Sequence, residues 1–145
     1  MAMEYMLLQQ KSDRLFINKN RIYNFFGGAP TSTLAAYGIY HNNVSLNAGN
    51  ENNVVNNLIY SLDANSGSSA SYGIYNASTA GVNYFHNTIA IDNTTSTSTG
   101  VSTGFYQSGT ALGIQFINNI VTVSRGGTGA KYAIQLLTTA NDVVP

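Results

Sequence analysis

Few side chains in this sequence could bind or activate a substrate. Two carboxylates and a guanidinium lie just past a recurring motif: Asp63, Asn93 and Arg125 occupy equivalent places after it, and Asp92 comes one residue before Asn93. On one face, Asp63, Asp92 and Arg125 would begin a calcium site or a simple charge pair. Calcium takes about six to eight oxygens, so two carboxylates from different repeats begin such a site poorly. An Arg beside an Asp across a parallel ladder is ordinarily a plain ion pair. His41 and His86 are the only histidines, and their separation fits no metal-ligand spacing. No metal is expected. His86 replaces an Asn or Lys of the other repeats and reads as a polar turn residue.

A second set of residues suits binding rather than catalysis. Tyr40, Tyr75 and Tyr106 recur at one place in another motif. In parallel coils about 4.8 Å apart they would form a strip of rings. With Gly beside them the ring faces would be reachable, and planar aromatics suit the apolar faces of sugars, so a linear polysaccharide is the expected ligand class. The plainer reading is that Tyr is a good strand residue that stacks on itself or lies under loops. The run TTSTSTGVST over Thr94–Thr103 occurs once. An ice-binding face needs its threonines in every coil, so that reading is rejected, while O-glycans are compatible with the run.

Positioning these residues requires a repeat, and one is present. An asparagine motif recurs as Ile17–Tyr23, Val54–Tyr60, Tyr84–Ala90 and Phe116–Thr122, with Asn20, Asn57, Asn87 and Asn119 in one column spaced 37, 30 and 32 residues apart. A tyrosine motif alternates with it as Tyr37–Tyr40, Tyr72–Tyr75, Thr103–Tyr106 and Tyr132–Gln135. Both are short and rich in β-branched and aromatic residues, with Gly, Asn and Ser around them, which predicts strands. The Gly, Ser and Thr runs between them read as loops. Such short strands need stacking on equivalents in the next coil, which predicts an all-β parallel β-helix of about four coils. An Asn column at a bend can adopt the left-handed backbone region and pass amide hydrogen bonds from coil to coil.

Strand alternation then assigns faces. Ile39, Ile74, Phe105 and Ile134 are expected inside together with Tyr37, Tyr72, Thr103 and Tyr132. Gly38, Gly73, Gly104 and Ala133 are expected on the other face, beside the outward Tyr40, Tyr75, Tyr106 and Gln135. In the asparagine motif, Ile22, Ile59, Ile89 and Val121 share the inward parity of the Asn column. Asn18, Val55, Phe85 and Ile117 are expected to line the neighbouring interior, with Asn18 a break in the first coil.

Composition agrees with a repetitive surface protein. A chain of 145 residues with 43% hydrophobic residues supports one domain with a core. Charged residues are 8% of the chain, against about 25% in typical domains, so Asn, Ser, Thr, Gly and Tyr must make the surface. Six basic and six acidic residues balance to zero net charge, which leaves no field for nucleic acid or an anionic membrane. Without cysteine there are no disulfides or thiolate sites. No apolar run reaches the roughly 18 residues of a membrane span. An extracellular or cell-surface location is expected.

The alternating motifs and the Asn column resemble the right-handed parallel β-helix superfamily, which includes pectate lyases, phage tail spikes and repetitive bacterial surface proteins. The resemblance covers roughly residues 16–137. It implies a right-handed helix and two kinds of function: a non-catalytic structural or adhesin-like module, or a polysaccharide lyase or hydrolase with a groove on the asparagine-motif side. In lyases of that fold, acidic residues hold calcium and an Arg acts as base, roles that would fall on Asp63, Asp92 and Arg125. No other cofactor is implied. Residues 1–15 read as a cap or partial coil and 138–145 as a tail, with poor capping of the ends. Further β-helix coils or other copies of the chain are therefore expected partners, and stacking into a fibre is a further alternative.

Overall fold

A computed structural model describes residues 14–26, 31–42, 48–62, 67–137 and 143–144. Among the described residues thirteen strands follow in order: β1 (Phe16–Asn18), β2 (Arg21–Ile22), β3 (Ala36–His41), β4 (Asn52–Val55), β5 (Leu58–Tyr60), β6 (Ser71–Asn76), β7 (Val82–Phe85), β8 (Thr88–Ile91), β9 (Ser102–Gln107), β10 (Ile114–Ile117), β11 (Ile120–Val123), β12 (Lys131–Leu136) and β13 (Val143–Val144). Every third strand pairs, always in parallel: β1-β4-β7-β10-β13, β2-β5-β8-β11 and β3-β6-β9-β12. The chain is thus an all-β parallel β-helix of about four coils with three sheet faces. The expected tail contributes β13, which lies on Ile114 and Gln115 of β10. The expected N-terminal cap or partial coil, residues 1–15, lies outside the described residues apart from Arg14 and Leu15.

Each asparagine motif is two strands around a corner. The left-handed residue there is not the column Asn but the one before it: Lys19, Asn56, His86 and Asn118 have φ of 58°, 56°, 56° and 55°. Asn and His tolerate this region better than most side chains, and His86 is the turn residue its position predicted. This corner also corrects the inward assignment. Ile17, Val54, Tyr84 and Phe116 fill the core, whereas Asn18 is exposed and Val55, Phe85 and Ile117 are half-buried. Alternation holds only along extended backbone, so one left-handed residue resets its phase and parity cannot be carried across the bend.

The tyrosine motif needs a similar correction. Ala36, Ile39 and His41 are buried in β3, and Ser71, Ile74 and Asn76 in β6, while both tyrosines of each strand are half-buried on the outside. Gly38 and Gly73 have no partner in the ladder register, which runs Tyr37↔Tyr72 and then Ile39↔Ile74. The glycine is an extra residue, stacked at the same place in each coil as an aligned bulge, so the residues on either side of it change phase. It is buried, opposite to the outward face expected of it, and it must be glycine because the space for a side chain is taken. A Cβ on Gly38 would stand 2.5 Å from Gly73 O and from Ile59 Cγ2, and one on Gly73 would meet Ile89 and Gly104 O.

Apolar side chains from all three sheets meet in the interior. Ile39, Ile74 and Phe105 from one sheet meet Ile59 and Ile89 from the second and Val54, Tyr84 and Phe116 from the third. Burying each of these side chains contributes roughly 1.5–3 kcal/mol. Tyr84 and Phe105 pack edge-on at 5.0 Å between centroids, and Phe105 meets Phe116 at 4.7 Å.

Candidate functional site

The outward face of the β3-β6-β9-β12 sheet carries the aromatic feature. Because the glycine bulge turns Tyr37 and Tyr72 outward, the strip is double: Tyr37 and Tyr72 stand beside Tyr40, Tyr75 and Tyr106. Within columns the rings are nearly parallel, with Tyr37–Tyr72 at 5.2 Å and 10° and Tyr40–Tyr75 at 5.1 Å and 20°. Between columns they are nearly perpendicular, with Tyr37–Tyr40 at 5.4 Å and 87° and Tyr72–Tyr75 at 5.1 Å and 86°. Tyr106 closes the cluster, 4.7 Å from Tyr75 and 5.1 Å from Tyr72.

This herringbone satisfies the ring quadrupoles, with electron-rich faces meeting electropositive edges. Ring faces that the sequence reading expected to be reachable lie in part against neighbouring rings, as between Tyr37 and Tyr72 and between Tyr40 and Tyr75. Ring edges and hydroxyls remain as the contact surface. Burial first, then the neighbouring phenols Tyr37, Tyr106 and Tyr75, push the Tyr72 hydroxyl up to about 12. Tyr37 and Tyr106 are also raised, chiefly by burial. The face is therefore uncharged at neutral pH and can both donate and accept hydrogen bonds. In the third coil Thr103 replaces the first tyrosine, and its hydroxyl donates to Gln135 Oε1 at 3.2 Å.

The asparagine column is a continuous ladder. Nδ2 of Asn20, Asn57 and Asn87 each donates to Oδ1 of the Asn one coil on, all at 2.9 Å. The backbone N–H of the same residue donates to the same oxygen at 2.8–3.0 Å. The second Nδ2 proton of Asn57, Asn87 and Asn119 goes back to the carbonyls of Ile17, Val54 and Tyr84. Asn57 and Asn87 thus fill their amide donors and acceptor inside the wall.

Arg125, the candidate base, is interior. It is 1% exposed, and its guanidinium reaches across two neighbouring coils. Nε donates to Ser96 Oγ at 3.1 Å, NH1 to Ser69 O at 3.1 Å and Ser102 Oγ at 3.2 Å, and NH2 to Ser69 O at 3.1 Å and Ser69 Oγ at 3.0 Å. Burial lowers its pKa. Asp92, by contrast, is exposed, because neighbouring residues of the wall point to opposite sides. Arg125 and Asp92 therefore stand on opposite sides of the wall, and Asp63 lies outside the described residues. Nothing in the spacing of Arg125 marked it as a clamp; the signal was the serine-rich composition of the loops it joins.

Those loops stack as layers. Ser96 and Ser98 point inward, and Thr95, Thr97 and Thr99 outward. Ser98 Oγ donates to Ser69 O at 2.7 Å, and Thr99 N to Gly67 O at 2.8 Å. His41 is also interior, bonded through Nδ1 to Tyr84 Oη at 3.0 Å. On the β2-β5-β8-β11 sheet, Tyr23 stacks on Tyr60 at 4.9 Å, with Arg21 donating to the Tyr60 hydroxyl at 3.1 Å. Among the described residues no three His, Asp or Glu gather as metal ligands, and no helix is long and apolar enough to cross a membrane.

Compared with family models, curated proteins and solved structures, the chain matches none.

Proposed function

We propose that this chain is a non-catalytic extracellular β-helix module, structural or adhesin-like, that contacts a linear polysaccharide through its tyrosine face. The observation that carries this reading is the double column of tyrosines repeating at about one ring per coil, with centroid spacings of 4.7–5.2 Å within columns. A regular row of edges and hydroxyls suits a regular row of sugar hydroxyls lying along the helix axis, and its neutrality suits an uncharged chain. The wider kinship we favour is the right-handed β-helix superfamily named above. Committing Arg125 to Ser69, Ser96 and Ser102 supports the non-catalytic reading over a lyase or hydrolase.

The test is affinity electrophoresis of the protein through gels containing neutral polysaccharides. Wild-type protein should be retarded by at least one of them, and Tyr40→Ala with Tyr75→Ala should weaken that retardation about tenfold, the loss of roughly 1.4 kcal/mol. Equal retardation of wild-type and doubly substituted protein, both with intact β circular dichroism, would end the proposal.

A further inference from the structure

The polar column that closes the tyrosine strands is uneven. His41, Asn76 and Gln107 occupy equivalent places and all point inward. Asn76 staples the turn after its own strand, with Nδ2 donating to Thr79 O at 2.8 Å and Thr79 N donating back to Oδ1 at 2.9 Å. Gln107 does the same through Nε2 to Gly109 O at 2.7 Å. His41 instead bonds to Tyr84 of β7, and its buried Nε2 has no hydrogen-bond partner among the described residues.

Protonation would turn that ring into two obligatory donors. Tyr84 Oη can accept one of them and the other has no acceptor among the described residues, inside a core formed by Ile39, Ile74, Phe105 and Tyr84. An uncompensated charge in such a place is strongly disfavoured. On β4, β6, β7 and β9, the strands at this corner, the titratable group that meets the ring is the Tyr84 hydroxyl. The sequence from Asn42 to Glu51 contains one ionisable residue, Glu51, whose Oε1 accepts from Gly49 N at 2.7 Å.

We propose that His41 is an acid-sensitive latch: neutral, it ties the first coil to Tyr84 of the third, and once protonated it leaves the core and loosens that coil. Burial depresses its pKa from 6.5 to about 4. Between those values the unfolded chain binds a proton that the folded chain refuses. The latch therefore contributes fully above pH 6.5 and progressively less as pH falls toward about 4.

The experiment compares thermal midpoints of wild-type protein, His41→Gln and His41→Asn from neutral pH down to about pH 4. The replacements are the residues of the equivalent positions in neighbouring coils. Carboxylates titrate alike in all three proteins, so the wild-type midpoint should fall several degrees further across this window than those of the variants. One shared pH curve for all three overturns the proposal. If the variants do not fold, the imidazole nitrogen shifts of the wild-type protein decide: the ring should remain neutral at about pH 5, and a ring half-protonated at its ordinary pKa, about 6.5, overturns the latch.

Discussion

Asn87 donates twice to a single oxygen of Asn119, from Nδ2 at 2.9 Å and from its backbone N–H at 2.8 Å, while its own Oδ1 receives the same pair of bonds from Asn57. Each amide is thereby held by the coils on both sides. The ladder's contribution should depend on position along the column, not on Asn as a residue type.

Asn87→Leu is accordingly expected to be costly. It leaves the Asn57 N–H and one Asn57 Nδ2 proton without their acceptor, takes a donor from Val54 O and leaves Asn119 Oδ1 only the backbone N–H of residue 87. At about 1–3 kcal/mol for each buried group left unsatisfied, a loss of at least about 3 kcal/mol is expected. Asn20→Leu, at the half-exposed end of the same column, should lose clearly less. Urea denaturation of both variants measures the difference, and equal losses would contradict a positional ladder.

Gly73→Ala should destabilise by about 1–3 kcal/mol, because its methyl must displace both Gly104 O and the Ile89 side chain. The reverse exchange in the same column, Ala133→Gly, should be mild, since Ala133 is exposed on the fourth coil. Thermal melting of the pair checks whether the glycine column is required by packing distance.

Arg125→Met removes the guanidinium donors to Ser69 O, Ser69 Oγ, Ser96 Oγ and Ser102 Oγ across three successive loop layers, while Ser69 O and Ser96 Oγ keep bonds from Ser98. A loss of about 3 kcal/mol or more is expected, by the same accounting for buried groups. Arg125→Lys should recover only part of it, because an ammonium lacks the planar fork. Denaturant midpoints ordered wild-type, Lys, Met would agree, and a Lys variant as stable as wild type would not.

The tyrosine herringbone has a signature at high pH. Tyr72 should ionise at about 12 in the folded protein, with Tyr37 and Tyr106 also above the ordinary 10.0. Their folded pKa values exceed the unfolded ones, so the folded chain holds protons that the unfolded chain releases. The associated stability is present below pH 10.0 and declines as pH rises toward 12. Ultraviolet titration of tyrosinate should therefore show a late-ionising fraction that Tyr72→Phe reduces and that denaturant abolishes. A single transition at the free-phenol pKa in folded protein would speak against the packing.

Sequence alone determined the repeat, and through it the strands, their parallel stacking, the asparagine ladder and the outward Tyr40, Tyr75 and Tyr106. These follow from residue types recurring at a coil-length period, information carried along the chain. The phase of the side chains around each coil was decided only in three dimensions. A left-handed residue at Asn56 or His86 and an extra glycine at Gly38 or Gly73 each shift the alternation by one place, so Val54 rather than Val55 lies inside and Tyr37 joins Tyr40 outside. The partners of Arg125 and His41 were equally hidden. Ser69 is 56 residues from Arg125 and Tyr84 is 43 from His41, and only the stacking of successive coils brings such distant residues within hydrogen-bond reach in the core.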